Sequence, residues 1–281
     1  MSTPVLALDT PWLLYRSYFA VPRSVKGAGG MPVNALLGTI NTILGLIDAV
    51  APRAVVCCAG AEEAAYRREL YPPYHAHRDP MPAELRVQWD RAGGLLGAFG
   101  WSVRDGGDLE ADDVLWSCSR VEAASGGRTL IATADRDLYQ AVDDHTSVLD
   151  LRDYPPGTID VAGVIARSGV RPDQIPDLIA LRGDPSDGLP GARGIGAKTA
   201  TALLADHGSL EGVLAATSEL RPRIAATLTE QADELRTFKE VATLRDVPFE
   251  RPPDAASDMA AGAAAARELG MVGLAKRLEA S

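Results

Sequence analysis

Carboxylate side chains stand at the ends of several apolar segments, where they could bind a cation or cap a turn. Eight are placed in this way: Asp9, Glu110, Asp112, Asp113, Asp135, Asp137, Asp184 and Asp187. Carboxylates that are brought together repel one another unless they take up protons or bind cations. Their hard oxygen atoms suit Mg²⁺ or Mn²⁺, and two such ions roughly 3.5–4 Å apart can activate water and stabilise the leaving oxygen of a phosphodiester.

A helix or turn cap is the commoner role for any one of these residues, since aspartate is frequent at both places. The set as a whole favours a shared metal site. Glu110 and Asp113 are three residues apart, which puts them on one face of a helix with Asp112 beside them. Asp184 and Asp187 form a further pair in the segment RGDPSDGLPG. We therefore expect a centre that holds two or more Mg²⁺ or Mn²⁺ ions.

The elements that would position these residues follow from hydrophobic periodicity. Strands are predicted at residues 5–8, 54–58, 101–104, 129–133 and 147–150. Helical segments alternate with them, including 33–50, 83–99 and 110–124. This alternation predicts an α/β fold with a largely parallel, doubly wound sheet. Such sheets bind ligands at the carboxyl ends of their strands, where Asp9 and Asp135 are expected to meet.

The strand pattern fades from about residue 159. Short helical segments between glycines and prolines follow, at 160–168, 173–182, 197–206 and 209–217. The alanine-rich tail, residues 257–280, has enough apolar side chains to predict packed helix. We expect an α/β core at 1–158 and a helical subdomain at 159–281.

Composition restricts the class of protein. The chain has 281 residues, 46% of them hydrophobic, and a net charge of −10. Nucleic-acid binding through bulk positive charge is excluded, so any such site must be local. Three cysteines without a CxxC pair argue against a disulfide framework or a zinc finger. With no apolar run of about 18 residues and no signal-like start, a cytoplasmic protein without a membrane partner is expected.

Together these segments resemble the 5′-nuclease family, which includes the 5′-to-3′ exonuclease domain of bacterial DNA polymerase I and the flap endonucleases. The matching stretches are LALDTPWLLYRSYFA, MPVNALLGTINTIL, YRRELYPPYHAHRDPMPAEL, EADDVLW, LIATADRDLYQAV and LIALRGDPSDGLPGARGIGAKTATALL. The resemblance implies a PIN-like, mostly parallel sheet with flanking helices, a helical arch at about 66–90, and a helix-hairpin-helix-type (H3TH) module at about 173–206. It also implies that all eight carboxylates are metal ligands.

Basic and aromatic residues of the matching stretches are candidate DNA contacts. The resemblance points to three arginines that could hold the scissile phosphate through their planar forks: Arg16, Arg67 and Arg78. For Arg16, a surface ion pair is the alternative. Three tyrosines could stack on unpaired bases, although packing is the commoner role: Tyr15, Tyr66 and Tyr74.

The stretch GARGIGAKT is close to a phosphate-binding P-loop. Ala197, however, separates Gly196 from Lys198, and no strand precedes the glycines. A hairpin between helices would instead offer backbone amides and a helix start to a DNA phosphate. The residues expected to take part are Gly191, Gly194, Gly196, Lys198 and Thr199. The resemblance implies a K⁺ ion at this hairpin.

Four positions depart from the family pattern: Cys58, His75, Ala134 and Gly188, of which the last two are expected only to tune the site. Cys58 stands where the family usually has an aspartate at the end of the second strand, and a thiol is a soft ligand poorly matched to Mg²⁺. Glu62 or Glu63 could reach the same ion directly or through water. His75 stands where many relatives have lysine, so that phosphate contact is expected to weaken as the imidazole loses its proton near neutral pH.

The resemblance therefore implies a 5′-to-3′ exonuclease or 5′ flap endonuclease, which leaves a 5′-phosphate and a 3′-hydroxyl. Its substrates would be 5′ flaps and nicked or 5′-ended duplex DNA, and we expect a monomer that cooperates at most in trans with a polymerase and a ligase. A branched-DNA-binding protein that does not cut is the first alternative, and eight retained carboxylates argue against it. An RNA-cleaving nuclease is the second, and the hairpin segment argues against it.

Overall fold

A six-stranded sheet lies at the centre of the N-terminal part in the computed structural model, which describes residues 3–153 and 155–280. The strands are β1 (Val5–Asp9), β2 (Ala54–Ala59), β3 (Ser102–Asp105), β4 (Thr129–Thr133), β5 (Thr146–Asp150) and β6 (Gly157–Ile159). Their order is β3-β2-β1-β4-β5-β6, and only the β5–β6 pair among these is antiparallel. The predicted doubly wound, mostly parallel sheet is confirmed.

Helices surround this sheet and form the C-terminal part. They are α1 (Thr10–Ala20), α2 (Asn34–Val50), α3 (Ala65–Leu70), α4 (Ala83–Ala98), α5 (Ala111–Ala124), α6 (Val161–Ser168), α7 (Ile175–Arg182), α8 (Ala197–His207), α9 (Leu210–Ala215), α10 (Pro222–Glu230), α11 (Ala232–Ala242), α12 (Met259–Glu268) and α13 (Val272–Glu279). Helices α3 and α4, with residues 71–82 between them, occupy the position predicted for the arch. No helix in the described part of the chain has the length and apolar character needed to cross a membrane.

The residues of β1 alternate between two hydrophobic cores. Val5 and Ala7 pack with α5 and the helical part on one face, and Leu6 and Leu8 pack with α1, α2 and α4 on the other. All four side chains are fully buried. A strand that is covered on both faces has a continuous apolar sequence, as VLAL does, because neither face meets water.

The last two helices pack differently from the sequence-based division at residue 159. They contribute Ala263, Ala266 and Leu274 to the core formed by α1, α2 and α4, on the far side of the sheet from α7–α11. Helix α12 approaches α4 so closely that a Cβ on Gly262 would lie 2.4 Å from the Phe99 ring. Residues 257–280 are thus helical as predicted, but they belong with the α/β core.

An extended segment, residues 243–258, connects α11 to α12, and we call it the strap. It runs beside α5, with which it forms hydrogen bonds from its backbone. The N–H of Arg245 donates to Asp113 Oδ1 at 2.8 Å, and the N–H of Val247 donates to Ser117 Oγ at 2.8 Å. Asp113 and Ser117 are one helical turn apart, so the strap is fixed along the helix axis.

The sheet topology sets where a ligand can bind. Strands β1 and β4 are parallel neighbours, with Leu8 opposite Ala132. The chain goes from β1 to β2 on one side, whereas β4 lies on the other side of β1. The carboxyl ends of β1 and β4 therefore border a topological switch point, which is where open α/β sheets bind ligands.

Candidate active site

Asp9 ends β1 and also caps α1. Its Oδ1 accepts the N–H of Trp12 at 3.0 Å, and its Oδ2 accepts the hydroxyl of Thr133 at 2.7 Å. The second bond ties the end of β1 to the end of β4. Burial raises the pKa of Asp9 to about 6, although the hydrogen bonds from Thr133 and Trp12 lower it. One residue therefore has both the capping role and the place at the sheet edge that the sequence predicted.

The loop after β4 brings Asp135 and Asp137 to the same edge. The N–H of Asp135 donates to Thr133 Oγ1 at 3.0 Å, so this threonine hydroxyl links Asp9 to the loop. The N–H of Asp137 donates to Asp135 Oδ1 at 2.8 Å. Loss of hydration in the crowded site raises the pKa of both carboxyl groups, and for Asp137 the charge of Asp135 raises it further.

The EADD segment forms the start of α5. Glu110 is the N-cap, and it accepts the N–H of Ala64 at 2.7 Å and the hydroxyl of Tyr74 at 3.0 Å. Asp112, in the first turn, faces the carboxylates of Asp9 and Asp135. Desolvation raises its pKa well above the ordinary value, and the charges of these two neighbours add to the rise. The positive end of the helix dipole partly offsets this repulsion.

The loop between α7 and α8 brings the third acidic pair. Asp184 accepts the N–H of Ser186 at 2.8 Å and lies 3.4 Å from a guanidinium nitrogen of Arg182. Asp187 contacts His75 Nε2 at 3.0 Å and Arg78 Nη2 at 3.2 Å. Asp187 is thus the point at which the helical part meets the segment between α3 and α4.

These residues surround a cleft of about 1040 Å³. Six of the eight predicted carboxylates line it: Asp9, Glu110, Asp112, Asp135, Asp137 and Asp187. The sequence-based prediction that the three acidic segments meet at one sheet edge agrees with this geometry.

The donor set fits a hard divalent cation. It consists of carboxylate oxygens whose raised pKa values report mutual repulsion and lost hydration, both of which a bound cation would relieve. Within residues 3–153 and 155–280, no group of three or more Asp, Glu, His or Cys side chains is arranged so that it could hold a metal ion. Mg²⁺ needs few protein ligands, because it keeps several water ligands and is usually bound through one or two carboxylates.

Comparison with known families assigns the fold. Residues 4–169 match the 5′-3′ exonuclease N-terminal resolvase-like domain, and residues 170–261 match the 5′-3′ exonuclease C-terminal SAM fold. The chain belongs to the 5′-3′ exonuclease family. The predicted family, fold class and enzyme class are thereby confirmed.

Relatives of this family member include free-standing and fused proteins. It is 37% identical to a 5′-3′ exonuclease of Streptomyces coelicolor, and the match covers 97% of this chain and 98% of the relative. It is 34% identical to DNA polymerase I of Mycobacterium leprae, with 89% of this chain and 28% of the polymerase covered. The chain therefore spans less than a third of the polymerases that it matches.

Solved structures share the fold at low identity. The zinc-bound T5 5′-exonuclease has a TM-score of 0.72 at 16% identity, and the match covers 98% of this chain and 96% of that one. The catalytic core of Rad2 in complex with a DNA substrate has a TM-score of 0.63 at 14% identity, with 99% and 93% covered.

In this exonuclease-family chain, Arg67 and Asp113 have roles other than those predicted. Arg67 is 3% exposed and Asp113 is fully buried, and their side chains form two hydrogen bonds of 2.9 and 3.1 Å. Asp113 also accepts the N–H of Glu110 at 3.2 Å. The prediction that Arg67 holds a phosphate and Asp113 a metal is corrected, because their polar atoms are already paired with protein groups.

Tyr74 and His75 are likewise buried, at 3% exposure each. The Tyr74 hydroxyl donates to Glu110, and the His75 ring stacks on the Tyr74 ring with centroids 3.8 Å apart. Base stacking by Tyr74 and phosphate binding by His75 were predicted. Both residues line the cleft, and both roles stay predictions.

Exposed arginine side chains lie at the rim of the cleft. Arg78 is 46% exposed and lines the cleft, as predicted for a phosphate contact. Arg86, in the first turn of α4, also lines it and was not singled out from the sequence, where nothing distinguishes it from other exposed arginines. Arg16 is exposed on α1 with its guanidinium over the Trp12 ring, outside the residues that line the cleft.

The glutamates near the second strand line the same cleft. Glu62 is ion-paired with Arg86 and accepts the hydroxyl of Tyr15 at 3.4 Å. Glu63 pairs with Arg68 at 3.1 Å.

Cys58 lies beside the acidic cluster. It pairs with Asp9 in the β1–β2 register and is fully buried. Burial raises the pKa of its thiol well above the usual value, so the group is neutral at pH 7. A neutral thiol does not supply the negative charge that the resemblance led us to expect at this place.

The predicted hairpin lies between α7 and α8. Gly191 and Gly194 have φ values of 68° and 76°, a left-handed conformation that favours glycine, and Gly196 is the N-cap of α8. Lys198 is exposed and Thr199 is half-buried at the helix start. Residues 190–196 border an open surface depression of about 840 Å³, closed on its other side by Glu230, Gln231 and Glu234.

Proposed function

We propose that this chain hydrolyses DNA near 5′ ends as a divalent-metal-dependent 5′-to-3′ exonuclease and 5′ flap endonuclease, leaving a 5′-phosphate and a 3′-hydroxyl. The observation that carries the proposal is the cleft at the switch point, lined by carboxylates from β1, the β4 loop and α5. Family membership and similarity to a 5′-3′ exonuclease of which the match covers 98% support it. Matched structures of T5 exonuclease with divalent metal ions and of Rad2 with DNA support the metal and the substrate.

The residues proposed to hold the cations are those whose carboxylates face the cleft: Asp9, Glu110, Asp112, Asp135, Asp137 and Asp187. Cations bound there would polarise the attacking water and neutralise the charge that develops on the scissile phosphate. Asp184 stands behind this group and adds negative charge that favours cation binding. We propose Mg²⁺ or Mn²⁺ as the ions.

Basic side chains and backbone amides of the protein would position the DNA. Arg78 and Arg86 at the cleft rim can bind the phosphates of the 5′ strand, since a guanidinium donates two parallel hydrogen bonds to phosphate oxygens. Gly194, Gly196 and Lys198 can bind the duplex backbone about the start of α8, without reading its sequence. A K⁺ ion at this hairpin, a monomeric cytoplasmic enzyme, and a polymerase and ligase that act in trans remain part of the proposal.

The missing aspartate favours one alternative. Because Cys58 is buried and neutral beside Asp9, the site lacks a charge on that side. A protein that binds branched DNA but cuts it slowly or not at all would follow if this charge were essential.

Cleavage of 5′-labelled DNA tests both functions. We expect the wild type to cut a 5′-flapped duplex and a blunt duplex in Mg²⁺ or Mn²⁺ but not in EDTA, and we expect Asp112→Asn to lose about a thousandfold in rate. The control is Asp48→Asn, which removes an exposed carboxylate on α2 outside the cleft and should cut normally. Tight flap binding without cutting in either metal would establish the alternative, and preference for an RNA flap would contradict the DNA assignment.

A further inference from the structure

One arginine lies where three elements meet. Arg67, in α3, contacts the start of α5 through Glu110 and Asp113, and contacts the end of α11 through Val241. Its side chain is 3% exposed, so these contacts are out of reach of solvent. Arg67 therefore connects α3, in the segment predicted to form the arch, with α5, which carries Asp112, and with α11 in the helical part of the molecule.

The contacts use the planar fork of the guanidinium. Nε donates to the carbonyl oxygen of Val241 at 3.0 Å, Nη1 lies 2.8 Å from Glu110 Oε2 and 3.1 Å from Asp113 Oδ2, and Nη2 donates to Asp113 Oδ1 at 2.9 Å. Four acceptor atoms of three residues, on two elements, are thus satisfied by one rigid group. A lysine ammonium keeps the charge but cannot reproduce this geometry.

The carboxylates of Asp113 and Glu110 also accept hydrogen bonds from other groups of the protein. Asp113 Oδ1 also accepts the N–H of Arg245, and Asp113 Oδ2 accepts the N–H of Glu110. Glu110 accepts the N–H of Ala64 and the hydroxyl of Tyr74. If Arg67 left this network to bind a phosphate, two buried carboxylates would lose their counter-ion, which is strongly unfavourable.

Asp112 lies between Glu110 and Asp113 in the sequence, and the side chains of both are held by the hydrogen bonds described above. The backbone at Glu110 and Asp113 is held on both sides of it, so the direction in which the Asp112 carboxylate projects is set by contacts that Asp112 does not itself make. We propose that Arg67 is a positioning residue, which aims Asp112 and Glu110 into the cleft and holds the start of α5 against α11. This inference rests on the proposed function of the cleft, and it goes beyond that function by assigning the residue that orders its ligands.

The test compares Arg67→Lys with Arg68→Lys, a matched change at the neighbouring exposed arginine. Binding of Mn²⁺ alone, followed by the electron paramagnetic resonance of free Mn²⁺, reports the ligands without requiring cleavage. We expect Arg67→Lys to unfold cooperatively and to bind Mn²⁺ about tenfold more weakly, because loss of a residue that orients ligands typically costs 10–100-fold in metal affinity. On the DNA flap, kcat should fall about tenfold with KM changed by less than about threefold, and Arg68→Lys should match the wild type.

Two results would overturn the proposal. Unchanged Mn²⁺ affinity and kcat would mean that Arg67 only fills space, and a raised KM with unchanged kcat would mean that it binds the DNA. If Arg67→Lys does not fold, Asp113→Asn, which keeps the volume and removes the charge, decides by the same criteria, with an expected loss of about tenfold in Mn²⁺ affinity. A wild type that binds Mn²⁺ but cuts no DNA would refute the proposed function and leave the Mn²⁺ comparison intact.

Discussion

At the scale of single residues, the cleft must bind partners of opposite charge, metal cations and DNA phosphates. Its carboxylates must attract cations, while the 5′ strand carries phosphates that those carboxylates repel. Arg78 and Arg86 supply the local positive charge, and each is paired with a carboxylate, Asp187 and Glu62 respectively. A phosphate must therefore compete with a protein carboxylate for each arginine, and the pairing sets part of the affinity for DNA.

Neutralising Glu62 should free its arginine for DNA. We expect Glu62→Gln to raise the affinity for a 5′-flapped DNA about threefold at low salt, measured by fluorescence anisotropy in Ca²⁺, since the released Arg86 can bind a phosphate. Glu69→Gln removes the same charge from an exposed position outside the cleft and should have little effect. Equal gains from both variants would show a general charge effect, and a loss of cleavage with unchanged affinity would instead place Glu62 among the metal ligands.

Restoring the absent carboxylate should make metal binding and stability depend on each other. In Cys58→Asp, the new charge would lie buried beside Asp9, so we expect a lower melting temperature in EDTA and a lower Mg²⁺ concentration for half-maximal cleavage. Cys57→Asp is the control, because Cys57 belongs to the core on the opposite face of the sheet. Its destabilisation should not respond to Mg²⁺. Rescue of both variants by Mg²⁺ would contradict a metal site on the Cys58 side.

At the scale of helices and strands, the sequence predicted the elements that have a clear hydrophobic period. The five parallel strands and the helices α2, α4 and α5 agree with the prediction to within a few residues. β6 was not predicted because its three residues are too few to show a period. The docking of α12 and α13 was not predictable either, since an apolar helix face does not specify which surface will cover it.

The same limit explains which site residues could be placed from the sequence and which could not. Asp9, Asp135 and Asp137 could be placed because they directly follow strands of a parallel sheet. Arg67 and Asp113 could not, since the sequence does not tell whether a charged side chain turns toward a cleft or toward a buried partner. Residue Asp113 in fact closes the capping box with Glu110 and turns away from the cleft.

The packing of α12 on the core can be tested at Gly262. We expect Gly262→Ala to lower the free energy of unfolding by about 1–3 kcal/mol, because the added methyl group would overlap the Phe99 ring. The control is Gly45→Ala in the interior of α2, where a Cβ meets no atom within 4 Å. It should stabilise the protein by about 0.5–1 kcal/mol through helix propensity. Urea unfolding measures both, and a neutral Gly262→Ala would contradict the close approach of α12 and α4.

At the scale of the whole molecule, the strap closes the structure. It leaves the helical part at α11, follows α5 and reaches Arg53 just before β2, where the carbonyl oxygen of Pro252 accepts a hydrogen bond from Arg53 Nη1 at 2.9 Å. There Glu122, at the end of α5, is fully buried between Arg53, which precedes β2, and Arg251 of the strap. The ion pairs are 2.5 and 3.1 Å long. Global stability should therefore depend on the charge of one carboxylate.

That dependence has a definite sign with pH. Burial raises the pKa of Glu122, but the hydrogen bonds from Arg251 and Arg53 outweigh it, and the pKa lies below its usual value. The folded state thus holds the proton less tightly than the unfolded chain, whose glutamate pKa is about 4.3. The stabilisation is fully present above that value and is lost as the pH falls through the lower pKa of the folded state.

We expect Glu122→Gln to lower the free energy of unfolding at pH 7 by about 3 kcal/mol, because Arg53 would lose its buried counter-ion and keep only the exposed Asp254. The difference from the wild type should shrink as the pH is lowered below 4, where the wild-type carboxylate also becomes neutral. Glu211→Gln, at an exposed ion pair with Arg236, should leave stability nearly unchanged at either pH. Urea unfolding at pH 7 and pH 3 gives both comparisons. A difference for Glu122→Gln that stayed constant across this range would mean that shape and hydrogen bonding, rather than the charge of the carboxylate, hold the strap to α5.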